Sequence, residues 1–196
     1  MKKWLPLIIV LVVLYGIFRW GVGLNNTMVE KQETGKTQWA NVESAYQRRA
    51  DLIPNLVNTV KGYAAHEKET LEGVIQARAN ATKTTIDPSN VTPEQMAQFQ
   101  ESQNSLTGAL SRLMVVVEKY PDLKANQNFL ELQSQLEGTE NRINVERNRF
   151  NDLAKDYNIY IKKFPATVLA GMLGFDTMML FQSAEGSDKA PTVDFN

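Results

Sequence analysis

The chain has 196 residues, a net charge of −1 and no cysteine. That length suits one domain with a sizeable core and room for an appendage. The balanced charge gives no bulk basic field for nucleic acid. The missing cysteine excludes disulfides, thiolate metal sites and a lipid-modified cysteine anchor, and leaves the redox compartment open.

The first segment differs from the rest. Lys2 and Lys3 precede an uncharged run from Trp4 to Phe18, and Arg19, Trp20 and Gly21–Leu24 follow. The uncharged run is about 15 residues, short of the roughly 20 that span a bilayer. Reading on to Leu24 reaches that length if Arg19 snorkels to the interface, with Trp4 and Trp20 marking the two belts. We therefore expect a retained transmembrane anchor over residues 4–24. The alternative is a cleaved signal peptide with Gly21-Val22-Gly23 as the small-residue site, which Arg19 and Trp20 make awkward. Lys2, Lys3 and the amino terminus favour a cytoplasmic N-terminus and a domain outside (periplasmic), against near-balancing Arg19, Lys31 and Lys36 on the other flank.

A helical domain is expected over residues 25–182. Its first helix starts near Asn25 to Glu30 and is read as continuous to Ala79. Val42, Tyr46, Arg49, Ile53, Leu56, Val60 and Tyr63 recur at steps of four and three, so they share one face. Pro54 interrupts the run chemically, because it offers no N–H to the Ala50 carbonyl and its ring crowds that turn. A kink at Pro54 is favoured because the stripe keeps its phase. A fresh start with Asp51 as N-cap would also place Pro54 in a first turn. Gly62 and Gly73 each weaken the helix by about 1 kcal/mol relative to alanine, and are read as sites of close approach.

Residues 81–90 read as a loop. Thr92-Pro93-Glu94-Gln95 is a capping box with proline at the first helical position. It opens a second helix whose face carries Met96, Phe99, Gln103, Leu106, Leu110, Leu113, Val117 and Tyr120, ending at Pro121. The third helix, starting around Asp122, shows a heptad-like stripe: Asn126, Phe129, Gln133, Leu136, Glu140, Ile143, Arg147, Phe150, Ala154, Tyr157, Ile161 and Phe164. Pro165 stops it at a length of roughly 60 Å. A short helix from Ala166 to Phe175, extending towards Phe181, comes next. Residues 183–196 read as a flexible tail, with a short extended piece at Thr192 to Phe195.

The fold class expected is all-α: an antiparallel, coiled-coil-like bundle of three long helices plus a short C-terminal helix, preceded by a transmembrane helix. The residues from Arg48 to Ala79 (RRADLIPNLVNTVKGYAAHEKETLEGVIQARA) closely resemble the signature helix of the LemA family of bacterial membrane-associated proteins. Further matches come in order at Glu118–Ile143, Arg147–Pro165 and the AGMLGF of Ala170–Phe175. The resemblance covers nearly all the chain after Thr27. It implies a membrane anchor and a helical fold, supplies no catalytic residues, and implies a cytoplasmic domain, opposite to the charge reading.

Little in the chain reads as reaction chemistry. His66 is the lone histidine and His66-Glu67-Lys68-Glu69 lacks the second histidine of a zinc-protease helix. There is no nucleophile elbow and no glycine-rich phosphate loop. Gly171 and Gly174 read as helix end and turn, and Lys162-Lys163 as complements of a helix C-terminus. No catalytic residue, metal site or cofactor is expected. The anomaly is a set of polar residues in core stripes: Arg49, Gln103, Asn126, Gln133, Glu140 and Arg147. A buried charge needs a partner, and Arg49 with Glu140 is the expected pair. Arg49, Gln103, Glu140 and Arg147 are thus read as a structural polar layer that fixes helix register, or else as charges at the margins of broad stripes. Phe175 and Phe181 lie in an apolar cluster that either forms an interface or folds back on the bundle.

The function expected is a single-pass membrane protein displaying a helical bundle for protein–protein interaction or self-assembly, without catalysis. The expected partners are the membrane and further copies of the chain or other membrane-associated proteins, with no nucleic acid and no small-molecule substrate. Two rivals are an enzyme or small-molecule sensor that uses the interior polar residues, and a structural unit packed in many copies on the membrane.

Overall fold

The computed structural model describes residues 4–84 and 86–182. They form six helices: α1 (Leu5–Lys61), α2 (Lys68–Lys83), α3 (Pro93–Val117), α4 (Pro121–Lys124), α5 (Gln127–Lys162) and α6 (Ala166–Leu173). The all-α class stands, but the expected set of three long helices and one short one does not. The main packing pairs are α1 with α5 and α2 with α3. The expected extended piece at Thr192 to Phe195 and the tail from residue 183 lie outside the described residues.

α1 is 57 residues long and joins the apolar stretch to the bundle without a break. Its first part is exposed all round, from Leu7 to Trp20. From Met28 onward one face is buried: Met28, Trp39, Val42, Tyr46, Ile53, Leu56 and Val60. α5 runs antiparallel to it. Gln38 meets Glu146, Arg49 meets Glu140 and Tyr63 meets Asn126, so rising numbers on α1 meet falling numbers on α5.

The helix expected to reach Ala79 ends at Lys61. Gly62 caps it, and the chain turns through Ala64, which is fully buried, before α2 begins. The turn folds α2 back so that Leu71, Val74, Ala77 and Ala81 enter the cluster formed by Ile53, Leu56, Val57 and Val60. Residues 60, 64, 71 and 74 keep helical spacing across the turn, so periodicity alone does not register the break. Burial of a second apolar face outweighs the loss of a few helical hydrogen bonds.

Pro54 lies inside α1 and the helix continues through it. The carbonyl left without its usual donor is that of Ala50. Arg78 of α2 supplies one: its Nε donates to the Ala50 oxygen at 2.7 Å. A helix interrupted by proline is thus completed from the neighbouring helix, and the same bond pins α2 to α1.

The Thr92 capping box forms as expected, with Thr92 accepting from the Gln95 N–H and Gln95 accepting from the Thr92 N–H. Pro121 does not simply end a helix. It opens the four-residue α4, and the long helix starts at Gln127 rather than near Asp122. Asn126, expected in the core stripe, is instead its N-cap and accepts from the Phe129 N–H.

The short helix ends at Leu173 rather than at Phe175 or beyond. Gly174 adopts φ +77°, which a side chain disfavours, and terminates it. Residues 175–182 then run as an extended strap back along α5. Asn158 pairs with both the N–H and the carbonyl of Met178; Asn151 accepts from the Phe181 N–H and donates to its carbonyl. The two asparagines are two helical turns apart, about 10.5 Å, and three extended residues cover about 10 Å, so strap and helix stay in step. Gly35 makes room on α1, since a Cβ there would stand 2.7 Å from the Met178 sulfur.

Replacing Arg78 with methionine should lower stability by about 2 kcal/mol, the size of a charge-assisted hydrogen bond whose loss strands a carbonyl. Pro54→Ala restores the in-helix donor, so Arg78→Met in that background should have a smaller effect. Urea unfolding of the four proteins in a double-mutant cycle measures this. Additive losses would show that Arg78 and Pro54 act independently.

Candidate functional site: a polar layer between two apolar cores

Two apolar clusters fill the bundle. One gathers Met28, Trp39, Val42, Tyr46, Phe99, Ile143, Phe150 and Tyr157 with the strap residues Met178 and Phe181. The other gathers Ile53, Leu56, Val60, the buried face of α2, Leu106, Leu113, Phe129 and Leu136. Arg49 lies between them along α1, and Gln103 and Glu140 lie between them along α3 and α5.

The Arg49 side chain is 3% exposed. Its Nη1 donates to Glu140 Oε2 at 2.8 Å and to Thr107 Oγ1 at 3.1 Å, and its Nη2 donates to Gln103 Oε1 at 2.7 Å. Gln103 Nε2 in turn donates to the Ala81 carbonyl at the end of α2. One guanidinium therefore links α1 to α3 and α5, and reaches α2 through a glutamine. Its Nε is buried without a partner, and the guanidinium lies 5.3 Å from the centre of the Tyr46 ring. Burial raises the Tyr46 hydroxyl pKa above its usual range, against the opposing pull of Arg147 and Arg49.

Arg147 lies beside Tyr46 at the edge of the layer, and it donates to the Gln182 carbonyl rather than to Gln103 or Glu140. Its guanidinium lies 4.5 Å from the centre of the Phe181 ring. Gln133 bonds along its own helix to Glu137. Phe181 is 6% exposed, inside an aromatic group where it stacks on Trp39 with ring centres 5.3 Å apart and meets Phe150 edge-on. Phe175 is half-buried against the same cluster. Of the two alternatives for this cluster, the fold-back is the one present, and Phe181 is not a free interface. Phe164, expected on the core stripe, is 83% exposed. His66 is on the surface.

A second polar set escaped the sequence reading. Glu146 is buried at 3% exposure, and both Gln38 Nε2 and Arg142 Nε donate to its carboxylate. Thr139 is buried as well. The α5 face that turns inward is Leu136, Thr139, Ile143, Glu146 and Phe150, one residue off the assumed Glu140 and Arg147. Steps of three and four between the same apolar anchors admit both series, so a charged residue at either position is equally in phase.

The layer's polar groups are turned mainly on one another. Among the described residues no group of three His, Asp or Glu side chains could hold a metal ion. One helix among the described residues, α1, is long and apolar enough, by length and composition, to cross a membrane. Fold and layer together define a class, the all-helical proteins that join a membrane-length apolar helix to a bundle with a hydrogen-bonded polar layer inside it.

The chain belongs to the LemA family, whose model matches residues 38–195. It is 25% identical to protein LemA of Metamycoplasma hominis over 164 residues, 84% of this chain and 71% of that protein. It is 29% identical to two MamQ magnetosome proteins of Paramagnetospirillum magneticum, and 28% to MamQ of Magnetospirillum gryphiswaldense. Each of these alignments covers 83% of this chain and 66% of the relative, a little under two thirds of its length. The resemblance drawn from the sequence is thereby confirmed, and this is an all-helical member of a bacterial, membrane-associated family.

Arg49→Ala should destabilise the protein by roughly 3 kcal/mol, because it strands the buried Gln103 amide oxygen, removes the Thr107 contact and leaves a hole where a 3%-exposed side chain packed. Glu140→Ala leaves Arg49 its Gln103 and Thr107 acceptors and, because Glu140 is 44% exposed, opens that side of the guanidinium to water, so it should cost only about 1 kcal/mol. Chemical denaturation of the two variants checks the inequality. Equal losses would mean that Glu140, not the Gln103 and Thr107 contacts, accounts for the effect.

Proposed function

We propose that this protein is a single-pass membrane protein that displays its bundle beside the bilayer as an interaction and assembly platform. The observation that carries the reading is α1. A stretch of about 20 residues that leaves its apolar side chains exposed continues, as one helix, into the buried core. A catalytic domain needs only a loose tether, whereas a helix shared by anchor and core fixes the bundle to the membrane. Lys2 and Lys3 ahead of the apolar run favour a bundle outside the cytoplasm. In this reading Arg49, Gln103 and Glu140 fix helix register, so that one surface is held out in one geometry.

A groove of about 960 Å³ between α1 and α5 is the contact face we favour. Asn41, Ser44, Arg48, Gln135, Gly138 and Arg142 line it. Confinement to a membrane raises the local concentration of copies, so a modest contact there becomes effective. The MamQ relatives are magnetosome proteins by name.

Crosslinking in intact cells followed by mass spectrometry tests the reading. Crosslinks between copies, or to a recurring membrane protein, are expected across the groove. Gly138, which faces open space, replaced by tryptophan should abolish them without unfolding the bundle. A protein that stays monomeric in detergent at all concentrations and gives no crosslinks would overturn the proposal.

A further inference from the structure

α6 has no charged residue, and neither does the stretch from Phe164 to Phe175 around it. One side is accounted for: Ala166 and Ala170 are buried and Leu169 packs against the core cluster. The other side is not. Phe164 and Met172 are 83% and 76% exposed, and Val168 and Leu173 are more than half exposed. Val168 and Met172 are four apart, one turn above the other on one face. In water this is an apolar patch with nothing over it.

Its position identifies the cover. α5 runs antiparallel to α1, so its C-terminus, and α6 after it, arrive where the apolar stretch of α1 ends. Leu169 approaches Gly21 to 4.0 Å from where a Cβ would stand. One apolar groove has Ile17, Phe18 and Trp20 of α1 on one wall and Phe164, Val168 and Leu173 on the other. The outer face of α6 is therefore continuous with the surface that α1 offers to lipid, and sits at the level of Trp20, where an interfacial aromatic is expected. Charge fits as well. Lys162 and Lys163 are exposed immediately before Phe164, and Arg19 lies beside Phe18 on α1. An apolar face flanked by lysines is the pattern of a helix lying in the headgroup region, sunk about 5–10 Å.

We propose that α6 is an interfacial membrane helix. Phe164, Val168, Met172 and Leu173 enter the headgroup–acyl boundary of the bilayer that α1 spans, and Lys162 and Lys163 meet anionic headgroups. The protein then holds the membrane at two points, which fixes the rotation of the bundle about α1. This rests on the single-pass reading of α1.

The cysteine-free sequence allows a clean test. The full chain carrying Met172→Cys, labelled with an environment-sensitive fluorophore, is placed in phosphatidylcholine–phosphatidylglycerol vesicles. Val145→Cys on α5, exposed and far from the membrane end, and Val12→Cys in the apolar stretch serve as references. The label at position 172 should be quenched by nitroxides at the headgroup and shallow acyl positions. It should be several-fold less accessible to aqueous iodide than the label at 145. The label at 12 should respond to deep nitroxides. Lys162→Glu with Lys163→Glu should weaken the quenching at 172 in vesicles containing phosphatidylglycerol and leave it unchanged in phosphatidylcholine alone. If 172 is as open to iodide as 145 while 12 still senses lipid, the α6 proposal falls and the anchor stands. If 172 is shielded from iodide but not quenched by lipid, a second copy covers the face and the proposal also falls. If 12 senses no lipid, the single-pass reading itself is wrong.

Discussion

Two adjacent residues of α1 organise the bundle. The Arg49 guanidinium is buried and must be met by acceptors, and the structure supplies them from α3 and α5. The Ala50 carbonyl is orphaned by Pro54 and must be met by a donor, which comes from α2. Both requirements follow from burial: an unmet polar group in a dry interior costs more than a typical made bond contributes. Apolar stripes alone would let long helices slide by a turn with small loss. A cation and a carbonyl at one height tie α2, α3 and α5 to α1 by hydrogen bonds. The two apolar clusters then pack on either side of that level.

The cluster nearer the apolar stretch is finished by the strap. Phe181 contributes a ring that Trp39, Phe99 and Phe150 all touch. Offset and edge-on aromatic pairs are worth about 1 kcal/mol each beyond their area. The strap carries this ring into place on asparagine side chains that read its backbone much as a neighbouring strand would. An extended segment on an otherwise helical protein thus has its hydrogen bonds satisfied by α5.

Helix identity and the capping box at Thr92 were legible from periodicity and local chemistry, as was the need of Arg49 for a partner. Pro54 was legible as an orphaned carbonyl, but not the arginine that serves it: Arg78 is distant in sequence, and an exposed-looking arginine on a helix carries no signal of its target. The break at Gly62 was hidden because the stripe stays in phase across it. Glu146 and Gln38 were missed for a related reason. A charge next to an assumed core position resembles a charge at it, and only the packed geometry of α1 against α5 distinguishes them. The fold-back of Phe181 depends on Asn151 and Asn158, polar residues on a long helix that no local rule selects.

The continuity of α1 also makes the molecule a lever. Lys61 lies about 55 Å along the axis from Leu24, so a change of about 10° in the slant of the apolar stretch sweeps the far end of the bundle through about 10 Å. In the proposed single-pass arrangement, bilayer thickness sets that slant. On that reading the far end of the bundle would swing with the thickness of the lipid around it, turning a property of the membrane into a displacement of the protein's head.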